Sequence, residues 1–143
     1  MKKNHNDKNR VSNKYVRVPT GRINWSYFSL DRIIDDYEGF RVILDNYKTS
    51  SIVRIGFTTP IVYRYSNESY RLVTNDDTNG DSELGLFEVQ QSTLIDWLRG
   101  ENGNHSNDSW KHYVIVSDDE YTDVVIEESS MCGDLPKVDV LVE

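Results

Sequence analysis

An α+β fold is predicted: a single domain over residues 14–143, built on one mainly antiparallel sheet of five or six strands with one longer and one shorter helix. Three observations lead there. Trp110–Val116 and Tyr121–Ile126 are two β-rich runs around the acidic connector Ser117-Asp118-Asp119-Glu120, the pattern of a hairpin. Tyr113 and Ile115 share one face of the first run, Val114 and Val116 the other, so the strand is apolar on both sides and belongs in the middle of a sheet. Leu30, Ile33, Ile34, Tyr37, Phe40 and Leu44 follow helical spacing behind Ser29, an N-cap residue type, with Asp31 in the first turn.

In chain order, residues 1–13 are polar and charged, and read as a disordered basic leader. Tyr15–Val18 adds a short strand before Pro19. The longer helix runs over Ser29–Tyr47, with Gly39 weakening its middle. Ser51–Thr58 is a strand with Val53, Ile55 and Phe57 on one face. Ile61–Tyr65 and Tyr70–Val73 flank the turn cluster Ser66–Ser69 as a second hairpin. Asn75–Glu83 is a long turn-rich break. With Gly80 at the sixth position of a calcium loop, the twelfth would be Leu86 where a bidentate glutamate is required, so no such loop is expected. Leu84–Val89 is a strand, Ser92 caps the shorter helix Thr93–Arg99, and Gly100 stops it. Val138–Val142 alternates as a last strand.

Composition narrows the class. At 143 residues the chain suffices to bury a core, and no apolar run reaches the roughly 18–20 residues of a membrane span. The N-terminus has bases without an apolar stretch behind them, unlike a secretory signal, and Cys132 is the one cysteine, so a cytoplasmic protein without internal disulfides is expected. Residues 1–22 hold seven bases against Asp7; residues 23–100 hold seven bases and twelve acids; residues 101–143 hold two bases and eleven acids. Residues 23–143 are therefore near −14, a field that repels nucleic acid and draws basic partners. Acidity that merely maintains solubility is the plain alternative.

No reaction is announced. The nucleotide-binding glycine patterns, G-x-S-x-G and H-E-x-x-H are all missing from the sequence, and nothing in the spacing pairs Cys132 with His112. No acid–base carboxylate spacing stands out among 24 acids. A non-enzymatic protein with no catalytic residues, metal or cofactor is expected.

Leu86-Phe87-Glu88-Val89-Gln90-Gln91-Ser92 leading to Asp96-Trp97-Leu98 resembles a strand–cap–helix segment of small bacterial proteins encoded beside polymorphic or contact-dependent growth-inhibition toxins. So do His112-Tyr113-Val114-Ile115-Val116, Asp123-Val124, and Tyr63-Arg64 before Glu68 and Arg71-Leu72. The likeness covers roughly residues 27–128; Met131–Glu143 and the basic leader depart from it. It implies an immunity protein that binds and neutralises a cognate toxin domain, a basic nuclease being the expected target. The acids crowded into connectors are the expected contacts: Asp118, Asp119, Glu120, Asp123, Glu127 and Glu128 around the central hairpin, and Asp76, Asp77, Asp81 and Glu83 in the long break. Two other classes stay open: a regulatory or phage-derived protein whose leader contacts nucleic acid, and a hydrolase with an unrecognised site.

Overall fold

β-Branched and aromatic residues recurring at every second position select strands throughout this chain. The computed structural model describes residues 13–71, 84–103, 109–128 and 136–142. Its strands are β1 (Lys14–Arg17), β2 (Phe28–Asp36), β3 (Gly39–Asn46), β4 (Ile52–Phe57), β5 (Pro60–Asn67), β6 (Gly85–Gln90), β7 (Trp110–Ser117), β8 (Glu120–Glu127) and β9 (Lys137–Val142). The α-helix among the described residues is α1, Thr93–Glu101. The strands form two antiparallel sheets, a five-stranded one ordered β1-β6-β7-β8-β5 and a four-stranded one ordered β2-β3-β4-β9.

This corrects the expected α+β class. Over the described residues the fold is a two-sheet β-sandwich with one short helix, not a single sheet with a longer helix beside it. The span Ser29–Tyr47 is where the difference arises, since it holds most of the hairpin β2–β3. A bulge between Leu30 and Arg32 lets Leu30 and Ile33 both pack on the shared core. That three-residue step within a strand imitates helical spacing. Downstream, Phe40, Val42 and Leu44 alternate strictly and are all buried. Asp36 and Gly39 pair across the turn, the Asp36 carboxylate accepts from Glu38 N–H at 2.9 Å, and Gly39 takes φ of +121°. That backbone angle is one glycine adopts readily and other residues do not.

The core lies between the sheets. Leu86, Tyr113, Ile115, Val124 and Ile126 project from the five-stranded sheet onto Phe28, Phe40, Val42, Leu44, Val53, Ile55 and Phe57 of the other. Aromatic contacts tie the layers, Phe57 to Tyr113 at 6.0 Å between centroids and Phe40 to Tyr63 at 4.7 Å. β7 and β8 are central, as their doubly apolar pattern requires. The expected second hairpin is corrected too. β5 pairs with β8, and Glu68–Tyr70 is a 3-10 turn; residues 72 and 73 lie outside the described set. No helix among the described residues is long and apolar enough to cross a membrane.

The outer face of the five-stranded sheet is covered as well. Leu94 and Ile95 of α1 pack on Val125, with Val62, Leu98 and Trp110 around them. Beside them Phe87, Val89, Val114, Val116 and Tyr121 form a second cluster. Between these apolar patches the sheet carries a line of polar side chains.

Candidate functional site

Strand register builds that line. In the β7–β8 ladder His112 stands opposite Val125 and Val114 opposite Asp123, so His112 and Asp123 are diagonal neighbours on the outer face. Arg64 of β5 is directly opposite Asp123. On the other side Val89 of β6 pairs with His112, bringing the end of β6 alongside the imidazole. There the chain turns through Gln91, at a left-handed φ of 55°, into Ser92, the N-cap of α1.

The side chains join into one relay. Ser92 Oγ and His112 Nδ1 are 2.6 Å apart, and His112 Nε2 lies 2.7 Å from Asp123 Oδ1. Asp123 Oδ2 accepts from Arg64 Nε at 2.9 Å and from an Arg71 terminal nitrogen at 2.7 Å; that nitrogen also donates to Ser66 Oγ. Ser92 Oγ accepts from Ile95 N–H at 3.0 Å, so its own proton is free to be donated to Nδ1. The pattern in which every proton has an acceptor is the Nε2–H imidazole, giving its hydrogen to Asp123. Ser92, His112 and Asp123 are all buried. Burial alone would raise the Asp123 carboxyl, but the His112, Arg71 and Arg64 contacts outweigh it and hold the group well below the usual carboxylate range.

The relay opens on a cleft of about 200 Å³, whose lining includes Ser92, His112, Ile95, Asp96, Arg99 and Lys111. Its charges are largely matched. Lys111 lies 3.3 Å from Glu88, and Arg99 lies 3.5 Å from Asp96. Among the described residues no group of three or more His, Cys, Asp or Glu side chains is arranged to hold a metal ion.

A second feature lies at the β7–β8 turn. Asp118 N–H donates to Phe28 C=O at 2.8 Å, Leu30 N–H donates to Glu120 Oε2 at 2.7 Å, and Tyr47 Oη–H donates to Asp118 Oδ2 at 2.7 Å. Glu68 N–H donates to Asp119 C=O, drawing in the turn that carries exposed Tyr70. The acidic turn is thereby clamped to the other sheet, beside the exposed rings of Tyr27 and Tyr47. The Tyr47 phenol is pushed up to about 12 by its hydrogen bond to Asp118, with desolvation adding to it. A groove of about 650 Å³ opens nearby, lined in part by Tyr27, Lys48, Val53 and Val140.

The expected contact residues therefore part company. Asp118, Asp119 and Glu120 are together at this end, but Asp118 and Glu120 are tied up in cross-sheet hydrogen bonds. Asp123 is 1% exposed inside the relay, which takes it off any docking surface: a carboxylate there needs internal partners. Glu127 and Glu128 are at the opposite end of the hairpin, beside Trp110 in the register and Lys111 respectively. Asp76, Asp77, Asp81 and Glu83 lie outside the described residues. Sequence reasoning missed the relay, although the stretches singled out in the sequence contain Arg64, Arg71, Ser92, His112 and Asp123, its main members. No family model, curated protein or solved structure matches this chain.

Proposed function

We propose that the chain is an immunity-type protein that binds and neutralises a basic toxin domain, and that the clamped β7–β8 turn is the centre of its docking surface. The observation that carries this reading is the rigidity of that turn. Cross-sheet hydrogen bonds hold Asp118 and Glu120 in place, so little side-chain freedom remains to be lost on binding. Tyr47 at 57% exposure and Tyr70 at 85% flank the acids as anchors of the type that dominates protein interfaces. The net charge of −8 supports a basic partner, because complementary fields accelerate encounter.

The test is survival. Cells producing the toxin domain encoded beside this gene should live when this chain is co-expressed and die when it is not. Equal survival in both cases, or a neighbouring gene that encodes no toxin, refutes the reading. The surface is tested by charge reversal at exposed acids on this end, Asp45→Lys with Asp119→Lys. Association at low salt should slow about tenfold or more while the fold is retained. An unchanged association rate removes this end of the sandwich from the interface.

A further inference from the structure

We propose that Ser92 is an activated nucleophile, with His112 as its base and Asp123 orienting the base, and that the adjoining cleft takes a short, uncharged acyl ester. This goes beyond the binding reading and does not depend on it. A nucleophile, a base and an orienting group in hydrogen-bond sequence beside a cleft is the arrangement acyl transfer requires. Here the two links measure 2.6 and 2.7 Å. Both the serine and the histidine are among the residues that line the cleft. The Arg64 and Arg71 contacts fix the Asp123 carboxylate, which in turn fixes the tautomer with Nδ1 ready to accept a proton.

The surroundings set the substrate class. Glu88 with Lys111, and Asp96 with Arg99, cancel charge in the cleft, which leaves no strong preference for an ionic substrate. A space of about 200 Å³ holds roughly six water-sized groups, enough for an acyl chain of a few carbons. The N-terminal turn of α1 adjoins Ser92, and Thr93 N–H already holds an oxygen there, the Asn13 side-chain carbonyl at 2.8 Å. That amide and the Ile95 N–H, which donates to Ser92 Oγ, are both occupied, so the helix end serves to position the serine.

In the reaction, Ser92 Oγ bonds to the acyl carbon while its proton passes to His112 Nδ1 and the carbonyl electron pair moves onto oxygen. Collapse of that intermediate breaks the ester C–O bond, and the departing alkoxide takes the proton from Nδ1. Water repeats the sequence on the acyl-serine, releasing the acid and restoring the hydroxyl.

The experiment uses an alkyl fluorophosphonate on the full chain, read by intact and peptide mass spectrometry. One adduct is expected on the peptide containing Ser92, formed by loss of fluoride, and none in Ser92→Ala or in the urea-unfolded protein. Hydrolysis of p-nitrophenyl acetate should exceed that of Ser92→Ala by about 100-fold or more, the scale of positioned general-base catalysis. The proposal is overturned if the folded protein stays unmodified under conditions that fully label a serine hydrolase. It is equally overturned if the adduct sits elsewhere or the unfolded chain reacts as fast. His112→Gln adds a check on the base: a folded variant that labels at the wild-type rate removes His112 from the role.

Discussion

Replacing Asp123 with Asn keeps the side chain's shape and removes its charge at the centre of the relay. The side chain is 1% exposed and holds two guanidinium groups, one of them on Arg71, whose side chain is 14% exposed. Losing one member of a buried ion pair leaves the other charge without compensation, at a cost of about 3–5 kcal/mol. That is a large share of the roughly 5–15 kcal/mol by which domains of this size are stable. Equilibrium urea unfolding of the wild type and Asp123→Asn at neutral pH measures the difference. The same pair supplies a pH test. The folded carboxyl sits well below its unfolded value near 3.8, so its stabilisation is fully present above that value. It is lost as the pH falls from about 4 toward the folded titration. Wild-type stability should fall over that acid limb, and the Asn variant should lack this component. A penalty under about 1 kcal/mol, or parallel acid limbs in the two proteins, would mean that Asp123 is not the clamped buried anion described above.

Ile115, fully buried between the sheets, should cost about 2–5 kcal/mol on truncation to Ala in the same unfolding assay, and a loss below about 1 kcal/mol would make β7 peripheral. Gly39→Ala separates the hairpin from a helix directly: at φ of +121° an alanine should destabilise by about 1–3 kcal/mol, whereas a helix interior would gain stability. Tyr47 should ionise near pH 12 in an ultraviolet phenolate titration, above its ordinary value of 10.0, and Asp118→Asn should return it toward that value. Its folded value is the higher one, so the bond's contribution is present below pH 10 and lost through about 12; an unaltered titration in the variant would show that the bond does not form.

The strands that show clean alternation were legible in advance. β4 follows Val53, Ile55 and Phe57; β7 and β8 follow their doubly apolar runs; α1 follows Ser92 and the stop near Gly100. The β2–β3 hairpin was not, because two local effects hid it. The bulge after Leu30 shifts the apolar phase by one residue, and partly exposed Ile34 adds a further position to an apparent helical stripe. The signals against a helix were nonetheless present in the β-branched pairs Ile33-Ile34 and Val42-Ile43, and in Gly39 between them. The division into two sheets depends on pairings between distant strands, such as β4 with β9, that local patterning does not encode.

The relay was hidden for a different reason. Its core members come from positions 64, 92, 112 and 123, and only the ladders β5–β8, β7–β8 and β6–β7 bring them onto one face. One inference was available without those ladders. A strand pair apolar on both faces is buried on both faces, and Asp123 interrupts such a run. A carboxylate in that position cannot serve a docking surface and must find internal partners, of which a strand histidine and nearby arginines are the natural kinds. Counting acids along the chain grouped Asp123 with Asp118 and Asp119, whereas reading the pleat separates them. The turn acids face the margin of the sandwich, and the strand acid faces His112. The same separation assigns different experiments to the two places: association rates report on the turn, and covalent labelling and acid stability report on the strand.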